Sequence, residues 1–386
     1  MHVGVVTTSY PRFSGDAAGG FVHELNLYLR RCGHRVTVIC AGDGVAKSHE
    51  LLDGIEVHRL SSSLFFHGGA PDALSSGLRS EPLLTLLRAG WFSGSLLAQC
   101  AERLRDCDML ISHWLVPCGL LATLCQGQRR HVAIAHSSDI HLLRRLYAQS
   151  LVRWLAKQTR LMYSAAHLRV DGAPGDVVAM GVTVSDFAAT DEVRQKARQT
   201  VRQTLGCATK TVLFLGRLVP VKGVPVLIDA MAELASEVPV ELIVAGDGPE
   251  RSKLEAQARR HGLSVRFVGP VFGTEKQTLL WAADALVLPS LQLADGRTEG
   301  APVVLWEALA AGCPVVASRV GGVADQLQTA GLLTEPGDVA SLVCALRQVL
   351  TDDRTARRLR EEGPLRARAA DWSVVAPQLL GCTLTG

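Results

Sequence analysis

The 386-residue sequence predicts an α/β protein of two doubly wound domains, each a mostly parallel sheet with helices on both faces. Three observations carry this expectation. Short β-branched runs alternate with helical patterns from the N-terminus. The same rhythm restarts after a polar stretch in mid-chain. A chain of this length, 48% hydrophobic and 20% charged, can also bury two cores.

In order, Val3 to Thr7 reads as a strand, Gly20 to Cys32 as a helix and Val36 to Cys40 as a second strand, which is the spacing of a βαβ unit. Ile55 to Leu60, Met109 to Ser112 and Val132 to His136 are further strands, and Pro82 to Leu104 is a helical stretch. The FFHGGAPDAL segment before it follows neither period. Ser185 to Leu205 is polar and charged, suited to a linker and the first helix of a new domain. From Thr211 the rhythm is strand TVLFLG, helix Val224 to Ala235, strand ELIVAG, helix Glu250 to His261, strand VRFVG and a helix around Lys276 to Ala283. Strand ALVLPS, helix Pro302 to Ala311 and strand PVVAS complete it. The expected divisions are 1–185, 186–365, and a closing segment 366–386 whose helix packs back toward the first domain.

Composition excludes several classes. Lys and Arg number 40 against 37 Asp and Glu, so no basic field is present to recruit nucleic acid, and no stacking platform accompanies what charge there is. The ten cysteines contain no C-x-x-C pair and lie in apolar segments, as reduced buried thiols do, which argues against a zinc site built from them. MHVGVVTTSY reads as a first strand and not as a signal peptide, and no window approaches eighteen uninterrupted apolar residues. The expected compartment is the cytosol. The first 185 residues hold 11 of the 12 histidines, so the two halves differ in chemistry.

Three motifs follow strand ends. In GDAAGGF, Gly19 and Gly20 open a helix and let backbone N–H groups approach an anion or a sugar; a tight turn needing glycine for geometry alone explains them as well. The pattern is not G-x-G-x-x-G, and no acidic residue closes a clean second strand, so hydride transfer is disfavoured. In GRLVPVKG, Arg217 and Lys222 place two cations on one loop, which suits a diphosphate leaving group. In EGAPVVLWEALAAGCPVVASRVGG, Glu299 precedes a helix opened by Pro302 and Glu307 lies inside it. The first-turn N–H groups of Val303 and Val304 would face a phosphate, while the two carboxylates accept hydrogen bonds from sugar and ribose hydroxyls. An amphipathic helix with an acidic N-terminus is the plainer alternative.

Glu299 and Glu307 with seven residues between them, the GRL-x-x-x-KG loop, the AGDGPE turn at 245–250 and the PVVAS-x-x-GG run together resemble glycosyltransferase family 4. The resemblance covers essentially the whole chain and is densest from 211 to 335. It implies a GT-B fold, two Rossmann-like domains facing each other across a cleft, with the donor on the second and the acceptor on the first. It implies a retaining transfer of sugar from a nucleotide-diphosphate sugar, most commonly a UDP-sugar, to a hydroxyl acceptor in glycan, polysaccharide or glycolipid synthesis. Glu299 and the Gly300 backbone would hold the donor sugar, Glu307 the ribose, and Arg217 and Lys222 the diphosphate. Gly246 and Gly248 would shape the nucleotide crevice. IAHSSD matches the family's strand-end histidine, so His136 would stabilise the donor sugar and Asp139 would lie nearby, with His113 in a similar position one strand earlier. No obligatory metal or other cofactor is implied.

Other readings stay open from the residues alone. An epimerase would need a base poised beside the sugar, a phosphorylase would use inorganic phosphate, and a silent binding protein would need no chemistry. From Ala166 the chain runs almost directly to Met180, Gly181 and Val182, a dozen residues short of the resembled pattern. Residues 140–170 carry Arg144, Arg145, Arg153, Lys157, Arg160 and Arg169 and a single Asp-free, Glu-free run with interleaved Leu, Trp and Tyr. This predicts a basic amphipathic helical region able to lie on an anionic membrane at its inner face, or else a solvated helix face.

Overall fold

The computed structural model describes residues 1–13, 16, 18–61, 80–207 and 209–381; the FFHGGAPDAL segment, Gly15 and Cys382 lie outside the described residues. The chain divides into two compact units, Met1–Met180 with Val375–Gly386, and Gly181–Val374. Each is an α/β sandwich of its own. Among the described residues no helix is long and apolar enough to cross a membrane.

The first unit contains β1 (His2–Thr7), α1 (Gly20–Arg31), β2 (Arg35–Gly42), β3 (His49–Leu52), β4 (Ile55–Ser61), α2 (Pro82–Arg103), β5 (Met109–His113) and α3 (Leu120–Cys125). β6 (Arg130–Ala135), α4 (Ser137–Arg145), α5 (Gln149–Gln158), β7 (Arg160–Tyr163) and β8 (Asp176–Val177) follow. The sheet order is β3-β4-β2-β1-β5-β6-β7-β8, parallel throughout except for β3. Val3, Val5, Val38, Ile39, Ile111 and Ile134 are fully buried, which is why these strands read as unbroken apolar runs.

Two corrections belong to this unit. The stretch 140–170 is not one helical region: α4 stops at Arg145, Tyr147 takes a φ of 52°, and α5 ends before Thr159, whose extended backbone leads into β7. Leu161, Met162 and Tyr163 are buried strand residues paired with β6, and their helix-like neighbours hide them. After β7, the short segment from Ala166 to Val182 holds a 3₁₀ turn at Ala166–Leu168 and β8.

β3 is also absent from the sequence reading, although Leu52-Asp53-Gly54-Ile55 spells a hairpin. Asp53 and Gly54 have φ of 49° and 77°, the left-handed pair that a two-residue hairpin requires. Gly54→Ala is expected to cost about 1–2 kcal/mol, because the left-handed backbone is the main penalty. The nearest atom to an added Cβ belongs to the flexible Arg30 guanidinium, which can swing away. An unchanged urea midpoint would remove this turn as the determinant of β3.

The second unit contains α6 (Val184–Phe187), α7 (Asp191–Leu205), β9 (Lys210–Leu215), α8 (Val224–Leu234), β10 (Val240–Ala245), α9 (Arg251–Arg260), β11 (Val265–Gly269) and α10 (Gly273–Ala282). β12 (Ala285–Leu288), α11 (Val303–Ala310), β13 (Val315–Ser318), α12 (Val323–Leu327), β14 (Leu332–Thr334), α13 (Val339–Thr351) and α14 (Asp353–Ala367) complete it, before α15 (Trp372–Leu380). α14 runs through position 366. Its sheet, β11-β10-β9-β12-β13-β14, is wholly parallel. In chain order this is 3-2-1-4-5-6, so the connections reverse direction between β9 and β12 and open a crevice beyond their carboxyl ends. Phe214, Leu227, Ile228, Val244, Val287 and Leu346 fill the core beneath it.

Candidate active site

The loops beyond β9, β10, β12 and β13 are knit together backbone to backbone. The Gly216 N–H donates to the Ala245 carbonyl (3.0 Å), Leu218 to Asp247 (2.9 Å), Leu291 to Val221 (2.8 Å) and Gly322 to Gly300 (2.9 Å). Such close approach leaves no room for side chains. A Cβ on Gly246 would stand 1.9 Å from the Gly216 carbonyl oxygen, and one on Gly321 would stand 1.8 Å from that of Glu299. Gly248 likewise abuts Leu218, so both glycines of the AGDGPE turn shape the floor.

On this floor the Lys222 ammonium donates to Glu299 Oε2 at 2.6 Å, and the Ser290 hydroxyl donates to the same oxygen at 3.1 Å. Lys222 and Glu299 are 77 positions apart in sequence, yet both sit at the β9/β12 switch point. Arg217, on the same loop as Lys222, is exposed and has no ion pair among the described residues. α11 begins here, with Pro302 as its cap and Val303 and Val304 in its first turn, whose N–H groups have no acceptor within the helix. Glu307 faces inward at 9% exposure and accepts from the Lys276 ammonium at 2.6 Å. Ser290 was legible as the end of a strand; Lys276 carried no local signal, since only the fold brings α10 beside α11.

In the first unit the glycine turn caps α1. Gly19 holds a φ of 64° and its Cβ would strike the Ser9 carbonyl, whereas among the described residues nothing stands within 4 Å of the Cβ position of Gly20. Geometry therefore demands Gly19, and Gly20 leaves open space at the helix start. Next to it Phe21 packs its ring 5.3 Å from His136 and 6.0 Å from Trp114.

His136 does not end β6, as the sequence predicts; it follows the strand and caps α4. Its Nε2 lies 3.2 Å from His113 Nδ1, with the two imidazoles stacked. Burial lowers the pKa of His136 to about 3 and holds that of His113 well below its ordinary value, so both are neutral near pH 7. Asp139 is 2% exposed and not free to meet a ligand. Its carboxylate accepts the backbone N–H of Leu115 (2.5 Å), His136 (2.9 Å) and Ile140 (2.9 Å), which locks His136 to the turn after Trp114. Trp114 has a φ of 65°, rarely held by an L residue, and its indole donates to Ser138 at 3.1 Å. Asp139 thus positions the cluster through three backbone amides.

These ionisations make the first unit acid-sensitive. His113, His131 and His136 are neutral in the fold because burial disfavours their charged forms, and each gains a proton on unfolding below about pH 6.5. Their stabilisation is fully present above that pH and is lost as pH falls toward 3. Burial raises Asp139 to about 7 against the pull of its three N–H donors, so it works the other way, shedding a proton on unfolding between about pH 4 and 7. Net proton uptake on unfolding is expected as pH falls below about 6.5, because the histidines outweigh Asp139. Urea midpoints across that range should fall with acidity, and less steeply in His136→Gln; a flat profile would contradict the neutral cluster.

Residues 198–366 match the model of the family described as glycosyl transferases group 1. The chain is 32% identical to the phosphatidyl-myo-inositol mannosyltransferase of Mycobacterium tuberculosis, over 98% of the chain and 96% of that protein. It is 40% identical over 179 residues to the glycogen synthase of the same organism, spanning only 40% of that protein's length. Among solved structures, Anabaena HepE in complex with UDP-glucose superposes with a TM-score of 0.71 at 20% identity, over 99% of this chain and 98% of that one.

Proposed function

Since the chain belongs to the glycosyl transferases group 1 family and has the two Rossmann-like halves of the GT-B glycosyltransferase fold, we propose that it is a retaining enzyme of family 4 that takes its sugar from a UDP-sugar and passes it to a hydroxyl acceptor. The acceptor lies in glycan, polysaccharide or glycolipid synthesis; the mannosyltransferase relative is named for an inositol phospholipid. The observation that carries the reading is the convergence of Lys222, Glu299, Ser290 and the start of α11 at the carboxyl ends of β9 and β12, with Arg217 exposed beside them.

The chemistry follows from charge. As the anomeric C–O bond breaks, positive charge grows on the sugar and negative charge on the departing diphosphate. Arg217, Lys222 and the N–H groups of Val303 and Val304 face that growing negative charge, and the helix dipole adds to it. Glu299 turns its other oxygen to the donor sugar's hydroxyls, beside the Gly300 backbone. Glu307, aligned by Lys276, accepts from the ribose. Leaving-group neutralisation by these cations needs no obligatory metal ion. His136, neutral and held by Asp139, offers a hydrogen bond to the transferred sugar and not a proton; Gly20 leaves space at the start of α1 for a sugar or anion.

The enzyme works in the cytoplasm, with peripheral contact to an anionic membrane through 140–170, where Leu146 and Tyr147 are exposed beside Arg144 and Arg145.

The test is thermal stabilisation by a panel of nucleoside diphosphates and their sugars, with and without EDTA. At a hundredfold excess over Kd a ligand adds about 2.7 kcal/mol, several degrees in the melting temperature. A UDP-specific shift, insensitive to EDTA and lost in Lys222→Ala, is expected. If no nucleotide shifts the native protein, the donor assignment fails. Product anomeric configuration, read by NMR, checks retention.

A further inference from the structure

The outermost hairpin of the first sheet carries a cluster that no step of sugar transfer uses. His49 on β3 is the antiparallel partner of His58 on β4, and Glu56 lies two residues before His58. Period-two alternation and cross-strand pairing therefore put all three side chains on one face of the sheet. β2, β1 and β5 separate this hairpin from β6 and His136.

The two imidazoles stack almost parallel, 4.4 Å apart at 10°, and both turn Nε2 toward the same carboxylate oxygen. His58 Nε2 is 3.0 Å from Glu56 Oε1 and His49 Nε2 is 3.7 Å from it. The other oxygen, Oε2, is held separately: Thr37 Oγ1 and the Arg35 guanidinium each donate to it at 3.3 Å. Thr37 is fixed in turn by His2 at 2.9 Å. One carboxylate oxygen is thus anchored by neighbouring strands while the other is aimed between two imidazole nitrogens.

We propose that His49, Glu56 and His58 bind a divalent zinc-type ion that clips β3 to β4. Two imidazoles and a carboxylate form a donor set that zinc accepts with water as a fourth ligand. Tetrahedral bonds of about 2.0–2.1 Å need donor atoms about 3.3 Å apart. The three donor atoms lie within 4.8 Å of one another, so the site closes when the exposed His49 side chain tilts out of its stack on His58 and draws its Nε2 inward. That exposure also provides the route in and the place for water. The ion adds to an edge strand already secured by four residue pairs, a two-residue turn and the ion pair of Glu50 with Arg59 on β4.

Zinc chloride titrated calorimetrically into the tag-free full chain, after EDTA treatment and its removal, is expected to bind at one equivalent, raise the melting temperature and slow amide exchange in His49–Leu52. His49→Ala, at an exposed position that leaves the core untouched, should weaken binding at least tenfold and abolish the slowed exchange. Glu56→Gln should do likewise while the unliganded melting temperature stays near that of the parent. Absence of one-equivalent binding, or binding that survives unchanged in both variants and so resides on other imidazoles or thiols, overturns the proposal.

Discussion

Lys222→Ala is expected to lower kcat with a UDP-sugar donor by about 10²–10³-fold, the effect of removing one preorganised group that faces charge developing in the transition state. Two terms add here. The ammonium that would meet the departing diphosphate disappears. Glu299, whose side chain is 14% exposed, then loses the cation 2.6 Å from Oε2 and retains only Ser290 on that oxygen, leaving an uncompensated negative charge beside a negatively charged leaving group. The donor KM should therefore rise as well. Arg217→Ala should cost less, because an exposed guanidinium acts through a higher dielectric. Initial rates over a range of donor concentrations, beside a melting curve showing that the variant is folded, separate these terms. Lys222→Ala with parental kcat and KM would remove this loop from the diphosphate site.

Gly321→Ala is expected to destabilise the second unit by about 2–5 kcal/mol. The left-handed backbone, φ 53°, costs an L residue about 1–2 kcal/mol. Its Cβ would also lie 1.8 Å from the Glu299 carbonyl oxygen, a backbone atom that cannot swing aside, so relief requires moving the loop at a cost of about 1–3 kcal/mol. That loop carries Glu299, so nucleotide affinity should fall with stability. Calorimetry resolving the two units, with UDP titrated into the variant below its transition, tests both parts. A melting profile identical to the parent's would mean that the 299–300 and 321–322 backbones do not pack as described.

The parallel strands inside each sheet, β1, β2, β5, β9, β10, β12 and β13, could be read directly from sequence. Buried on both faces, they show as short apolar runs whose composition admits little else. Of the edges only β11 could be read. β3 and β8 are half solvated and brief, and β7 lies within a basic, helix-like run that only its pairing with β6 resolves. The Asp53-Gly54 turn shows that some of this was written locally and overlooked.

The candidate site divides along the same line. Sequence by itself determined which chemical groups end the strands of the second half: Arg217 and Lys222 after β9, Glu299 before α11, glycines wherever backbones touch. Local spacing specifies such features, since a turn, a cap or a helix start depends on a few neighbouring residues. Only the tertiary structure decided what those groups meet. It gave Lys222 to Glu299, Lys276 to Glu307 and His113 to His136, pairs separated by 77, 31 and 23 positions. It also turned Asp139 from an expected ligand contact into a clamp on three backbone amides. Burial and partnership arise from elements distant in the chain, and they set charge state and availability, which residue identity alone leaves undetermined.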